Sequence, residues 1–230
     1  MFKLKMDGIT FTVLVLYLFM LASCAPSRFV RPLEKGEVAL TGSFGGPMFK
    51  NFGTPIPVPN VTVAAGYGFN DSWTGFAGVN LLSAAFGNIH LDVGGSKRLA
   101  APDNWRPGFT ATPGMHVVLG LNENSGFRIW PTVDANAWWE YGERKHFAYA
   151  GLNAWAVLTS QGPNGAEQPQ AILPGMQLGN TWSFGKMELS VEFKWTNLGT
   201  SSQDGTVDWL AVRQTGATGI QFGITKRLGK

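Results

Sequence analysis

One cysteine, Cys24, stands in a chain of 230 residues. A single thiol excludes a disulfide framework within the chain and any zinc site built on cysteine pairs. Charge is scarce as well. Asp, Glu, Lys and Arg make up 14% of the residues, against roughly 25% in an ordinary soluble domain. The apolar share of 44% is average, and aromatics reach 13%. A disordered chain has the opposite bias, rich in charge and poor in aromatics. The formal net charge of +3 forms no basic stripe, so a nucleic-acid partner is not expected. Metal-ligand spacing and a phosphate-binding glycine loop leading into a helix are also missing, and no cofactor is expected.

What is present begins with an address. Lys3 and Lys5 precede the uncharged stretch Ile9–Ala22, which is shorter than the ~20 apolar residues a spanning helix needs. That is the anatomy of a signal peptide. It ends in Leu21-Ala22-Ser23-Cys24, which resembles the lipobox of bacterial lipoproteins. The resemblance implies cleavage after residue 23, acylation of Cys24 with palmitate-type chains, and, with Ala rather than Asp at position 25, sorting to the outer membrane. Residues 24–35 then read as a lipidated tether. Its cations Arg28, Arg31 and Lys35 are expected to be solvated or to lie against anionic headgroups.

From residue 36 to 230 no sustained helical period is found, and alternation takes over. In 127–141 one face reads Phe127, Ile129, Pro131, Val133, Ala135, Ala137, Trp139, Tyr141; the other carries Arg128, Asp134 and Glu140. Met187, Leu189, Val191, Phe193 and Trp195 likewise alternate with Glu188, Ser190, Glu192 and Lys194. Strands are expected near 36–44, 60–69, 73–82, 89–99, 108–121, 127–141, 147–159, 170–182, 186–196 and 218–228. About ten short alternating segments predict an all-β fold, an antiparallel up-and-down transmembrane β-barrel. A soluble barrel alternates too, but its polar face is rich in Lys and Glu. Here the polar face is crowded with Gly, Thr, Asn and Trp. The apolar face carries only Lys97 and Lys226, both near strand ends, where a lysine reaches headgroups.

With the N-terminus held in the periplasm by Cys24, the short turns fall on the periplasmic side and the long loops, including 45–59, 160–169 and 197–217, fall outside, the asymmetry expected of such barrels. Tyr67, Phe69, Trp73, Phe109, Trp139, Tyr141 and Trp182 form an inner girdle; Phe44, Phe127 and Trp195 mark the outer one. In this pattern residues 36–230 resemble small outer-membrane β-barrel proteins of Gram-negative bacteria. The stretch Gly219–Thr225 looks like the closing strand that the assembly machinery of those barrels recognises, although Lys226–Lys230 follow it.

Function is less legible. Inward residues are expected to include a lumen network of Arg128, Asp134, Glu140, Glu188, Glu192 and Lys194, together with His90, Asp92 and His116. Hairpin counting predicts Gly114 opposite Asp134, Gly120 opposite Arg128, Gly66 opposite Phe76 and Ala64 opposite Gly78. Pro113, Pro131 and Pro174 point to lipid and suggest bulges or a weakened seam. Three readings stay open. The first is a structural or accessory subunit of a larger outer-membrane assembly, contacted through Met48, Phe49 and Phe52 of the first loop. The second is a narrow cation-preferring pore. The third is a lipid-editing barrel enzyme using His90, Asp92 and Ser83 near the outer rim. Outer-membrane lipid is the expected partner throughout.

Overall fold

The computed structural model describes residues 26–51, 54–58, 60–121, 126–158, 170–201 and 209–229. Cys24 and the expected signal sequence lie outside them, as do Phe52, the whole loop expected near 160–169 and residues 202–208 of the loop expected near 197–217. The strands are β1 (Val38–Asn51), β2 (Thr54–Pro57), β3 (Asn60–Asn70), β4 (Trp73–Asn80), β5 (Asn88–Ala100), β6 (Gly108–Gly120), β7 (Phe127–Tyr141), β8 (His146–Ala156), β9 (Ile172–Phe184), β10 (Met187–Ser201) and β11 (Thr215–Gly229); a one-turn helix, α1 (Leu81–Ala85), joins β4 to β5. β2 pairs only with the far half of β1. The other ten strands pair antiparallel in chain order, and β1 pairs with β11, so the sheet closes. This is the ten-stranded barrel that the alternation predicts.

The barrel is polar inside and apolar outside. Fully buried side chains include Gln177, Thr74, Thr110 and Ser96, while Leu152, Phe222 and Ile224 stand exposed on the outer wall. A soluble domain does the reverse, because burying unpaired polar groups is costly and exposing apolar ones in water is too. The expected faces hold strand by strand: Val63, Tyr67 and Phe69 point out and Thr62 and Ala64 point in. Lys97 sits at the rim with its ammonium 5.4 Å from the Trp73 ring centroid.

Three local expectations need correction. Residues 45–51 are not loop. β1 runs on past the barrel body, pairing Pro47 with Gly219 and then forming a hairpin with β2. In the β6–β7 hairpin, Asp134 pairs with Thr112 and Arg128 with Val118, rather than with Gly114 and Gly120. The turn is centred one residue earlier than expected, which moves every pair by two and leaves the faces unchanged. The β3–β4 pairs Gly66 with Phe76 and Ala64 with Gly78 are as expected. Finally, no register shift forms at the prolines, which sit in unbroken β6–β7 and β8–β9 registers; on their other sides the ladder is interrupted, since β5–β6 pairing skips Pro113, β7–β8 pairing starts at Thr132 and β9–β10 pairing ends at Met176.

Turns at one rim are tight. Phe184 pairs with Met187 across Gly185 at φ +66°, a two-residue turn with glycine at its first central position. Inside, small residues make room for large ones. A Cβ on Gly179 would overlap the Tyr149 ring, and one on Gly108 the Trp138 ring. Gly179→Ala is therefore expected to destabilise the barrel by about 1–3 kcal/mol through overpacking. The check is the temperature at which the folded gel band converts to the unfolded one; an unmoved transition would mean that the Tyr149 ring gives way freely.

Candidate functional site

The lumen is lined by short polar side chains and carboxylates, because every second residue of each strand must face it. Into it runs the chain that precedes β1. Gly36, at φ +78°, turns the backbone inward; its N–H donates to the Gly68 carbonyl at 2.7 Å, and the Gly68 N–H donates to Glu37 at 2.9 Å. Read backwards from there, residues 35 to 26 climb from the short-turn rim to the middle of the barrel. The segment expected to be a solvated or headgroup-facing tether is thus an internal plug.

Its backbone and its two arginines seat it. The Leu33 N–H donates to Thr74 Oγ1 at 2.7 Å. The Phe29 and Val30 carbonyls accept from Ser96 Oγ and Thr110 Oγ1, both at 2.7 Å. The Phe29 ring lies against Gly66, where a Cβ would overlap it. Arg28 donates through Nε and Nη2 to Asp92 Oδ2 at 3.0 and 2.8 Å, and through Nη2 to Thr62 Oγ1 at 2.8 Å. Arg31 reaches Glu188 at 2.5 Å, Glu140 at 3.2 Å and the Lys145 carbonyl at 2.9 Å, with its guanidinium over the Phe147 ring. The Ser27 N–H donates to both carboxylate oxygens of Glu192, at 3.1 and 3.2 Å.

The physical reason is charge. The wall presents Asp92, Asp134, Glu140, Glu188 and Glu192 against few cations of its own. A carboxylate held away from bulk water needs a partner. Arg28 and Arg31 supply what the wall lacks. Arg227 of β11 supplies more, bonding Glu37 at 2.8 Å and Glu188 at 3.0 Å. These three arginines were missing from the sequence-derived lumen network. The surplus of inward carboxylates was the signal that could have pointed to them.

The expected network is otherwise brought together in part. Lys194 lies 3.6 Å from Glu192, which also accepts from Tyr149 Oη at 2.8 Å. Asp134 and Lys194 line a small cavity with Pro26, His116 and Trp155. Arg128 is the second residue of β7, at the opposite end of the strand from Glu140, and among the described residues its side chain joins none of the ion pairs above.

The candidate catalytic residues do not assemble. His90 Nε2 lies 3.1 Å from His116 Nδ1, and the His116 ring stacks on Trp155 at 4.3 Å between centroids. Asp92 is committed to Arg28. Ser83 is in α1, where its N–H is held by the Asn80 cap at 3.1 Å, and it hydrogen-bonds neither His90 nor Asp92. No group of three or more His, Cys, Asp or Glu among the described residues is placed to hold a metal ion. Met48 and Phe49 are half-buried in the β1 extension rather than free in a loop; Met48 accepts from the Leu210 N–H at 2.8 Å, and Phe49 bridges to Trp209.

No family model matches the chain, and no curated protein matches it in sequence. Solved structures do resemble it. The translocator domain of the autotransporter NalP from Neisseria meningitidis is 10% identical with a TM-score of 0.50, over 86% of this chain and 91% of that one. The outer membrane protein OprG from Pseudomonas aeruginosa is also 10% identical, with a TM-score of 0.32 over 87% and 100%. Ail, the attachment invasion locus protein of Yersinia pestis, is 9% identical, with a TM-score of 0.29 over 84% and 99%. At these identities the likeness is one of fold. The NalP domain carries it, and the fold is that of outer-membrane β-barrels.

Proposed function

We propose that this chain is a non-enzymatic β-barrel of the bacterial outer membrane, lipid-anchored through Cys24 with its N-terminus in the periplasm, that serves as an accessory subunit of a larger outer-membrane assembly. The observation that carries the non-enzymatic reading is how the reactive groups are used. His90 is bonded to His116, Asp92 to Arg28, and Ser83 is elsewhere. Two cavities inside the barrel, lined by Asp92, His116 and Asp134 and by Arg28, Arg31 and Glu188, measure about 30 and 60 Å³, the size of a few water molecules each.

The outer wall supports the membrane location, since its exposed leucines, isoleucines and phenylalanines are tolerable only in hydrocarbon. For the assembly, the β1–β2 hairpin projects beyond the barrel body, and apolar residues on a rigid support are the usual material of an interface.

Purified wild-type protein is expected to leave lipopolysaccharide and phospholipid unchanged over long incubation, as is His90→Ala. Mass spectrometry of the lipids checks this; an altered lipid with wild type that disappears with His90→Ala would overturn the reading in favour of a lipid-editing enzyme. Co-purification in mild detergent tests the accessory role, and a lone monomer there would count against it. The pore is the second reading, and a specific observation favours it: the wall carboxylates Asp92, Glu140 and Glu188 face the lumen and are bound by cations of the segment 26–35.

A further inference from the structure

The outer wall is not evenly filled. On the lipid side of β1, β3, β4 and β11 it holds an open apolar groove of about 570 Å³, within the range of small-molecule sites. Register explains the dent. Ala65 pairs with Leu40 on one side and Ala77 on the other, and Gly42 pairs with Ile224 and Val63. Three small residues thus stand together among larger ones. Gly42 is the informative one. Glycines such as Gly66, Gly108 and Gly179 make room for a ring of this same chain. A Cβ on Gly42 would meet only Ile224 Cγ2 at 3.8 Å and the Thr62 carbonyl at 4.0 Å, which are ordinary contacts. Glycine weakens a strand, and here no packing inside the barrel calls for it.

The groove ends at cations. Lys226 lines it and pairs with Met187, the first residue after the two-residue β9–β10 turn, so it stands at the short-turn rim. Lys186 of that turn is its neighbour, since the Arg227 N–H donates to the Lys186 carbonyl at 2.8 Å. Both lysines are exposed. Arg227 faces inward and is neutralised by Glu37 and Glu188. Lys226 and Lys186 join no ion pair among the described residues. A lysine stem lies along apolar surface while its ammonium reaches the headgroup level.

We propose that this groove binds one anionic glycerophospholipid of the periplasmic leaflet, with an acyl chain laid over Gly42, Ala65 and Ala77 and the phosphate on Lys226 and Lys186. The inference rests on the membrane location and orientation proposed above, because short turns face the periplasm in such barrels. The occupant follows from the two ends of the site. An apolar trough that opens on two cations at the rim matches a molecule that is apolar along its length and anionic at its head. An added strand finds no free edge here, since β1 and β11 are paired along the seam. A second copy docked through the same face would set lysines against lysines, because a two-fold interface brings identical patches together.

The full chain, refolded without acylation into detergent, is titrated with phosphatidylglycerol or phosphatidylethanolamine and read by native mass spectrometry. One lipid per chain is expected to stay bound, with phosphatidylglycerol preferred. Lys226→Ala and Lys186→Ala should each weaken phosphatidylglycerol binding about five-fold and leave phosphatidylethanolamine binding little changed. Gly42→Leu fills the trough and should abolish retention of both lipids; Ala65→Leu fills it from the next strand and serves if Gly42→Leu does not fold. Heat-modifiable mobility confirms folding of every variant. Equal affinity for the two lipids, unmoved by the lysine changes, would overturn the headgroup site. Retention of lipid by folded, filled variants would overturn the groove. Paired chains without lipid would show a second copy to be the occupant, and would overturn it too. A chain that folds and stays dispersed without detergent or lipid would remove the membrane location itself, and the site with it.

Discussion

Replacing Arg28 with Met in the refolded, unacylated chain is expected to lower the unfolding free energy by about 3–5 kcal/mol, the usual cost of leaving one partner of a buried ion pair behind. Both side chains are nearly inaccessible, at 5% for Arg28 and 9% for Asp92, so solvent does little to screen the loss. The orphaned group would be Asp92, whose Oδ2 takes two hydrogen bonds from Arg28 and whose Oδ1 presses towards Gly78. Adding Asp92→Asn should recover most of the loss, because removing both charges of a buried pair is often close to neutral. Urea midpoints from tryptophan fluorescence measure both variants. A double variant no better than Arg28→Met would place the cost in packing rather than in charge.

Val191→Arg should block stable assembly in a membrane, whereas Glu192→Gln should be tolerated. Val191 pairs with Asn180 and Phe222 in the middle of β10 and faces outward beside Leu189 and Phe193. An arginine at that depth costs about 2–4 kcal/mol in lipid-facing barrel positions. Its neighbour Glu192 is buried on the inner face, accepting from Ser27 and Tyr149. Glu192→Gln keeps an acceptor oxygen there and should fold. Heat-modifiable mobility after insertion into bilayers separates the two. Normal folding of Val191→Arg together with failure of Glu192→Gln would mean that the two faces are reversed.

The barrel was legible because alternation is a local signal. Phe127–Tyr141 shows its two faces without reference to any other strand, and it begins and ends where expected. Register was legible only where the turn was short. Asn70 fixes its turn by accepting from the Ser72 and Trp73 N–H groups, and the β3–β4 pairs came out right; the longer β6–β7 connection left its centre open by one residue. The plug was not legible, because nothing local in Arg28 and Arg31 separates a solvated tether from a lumen occupant. Its cause is spread over the wall, in Asp92, Glu140 and Glu188, which come from three different strands. Met48 and Phe49 failed for a related reason: glycines around them suggested a loop, but besides their local pairing with Pro57 and Ile56 of β2 they meet Leu210 and Trp209, far along the chain.

The seam between the first and last strands has a kinetic consequence. Thr41 meets Thr225 and Glu37 meets Arg227 across sequence separations of 184 and 190 residues. Contacts of such long range are the slowest to be found, since their closure entropy must be met before they reward the chain. Arg227 and Arg31 share one carboxylate, Glu188. The last contact to form is thus wired to the base of the plug. A nascent barrel with an open seam holds the segment less firmly than a finished one, so the interval before closure is when the route of residues 26–35 is most easily decided.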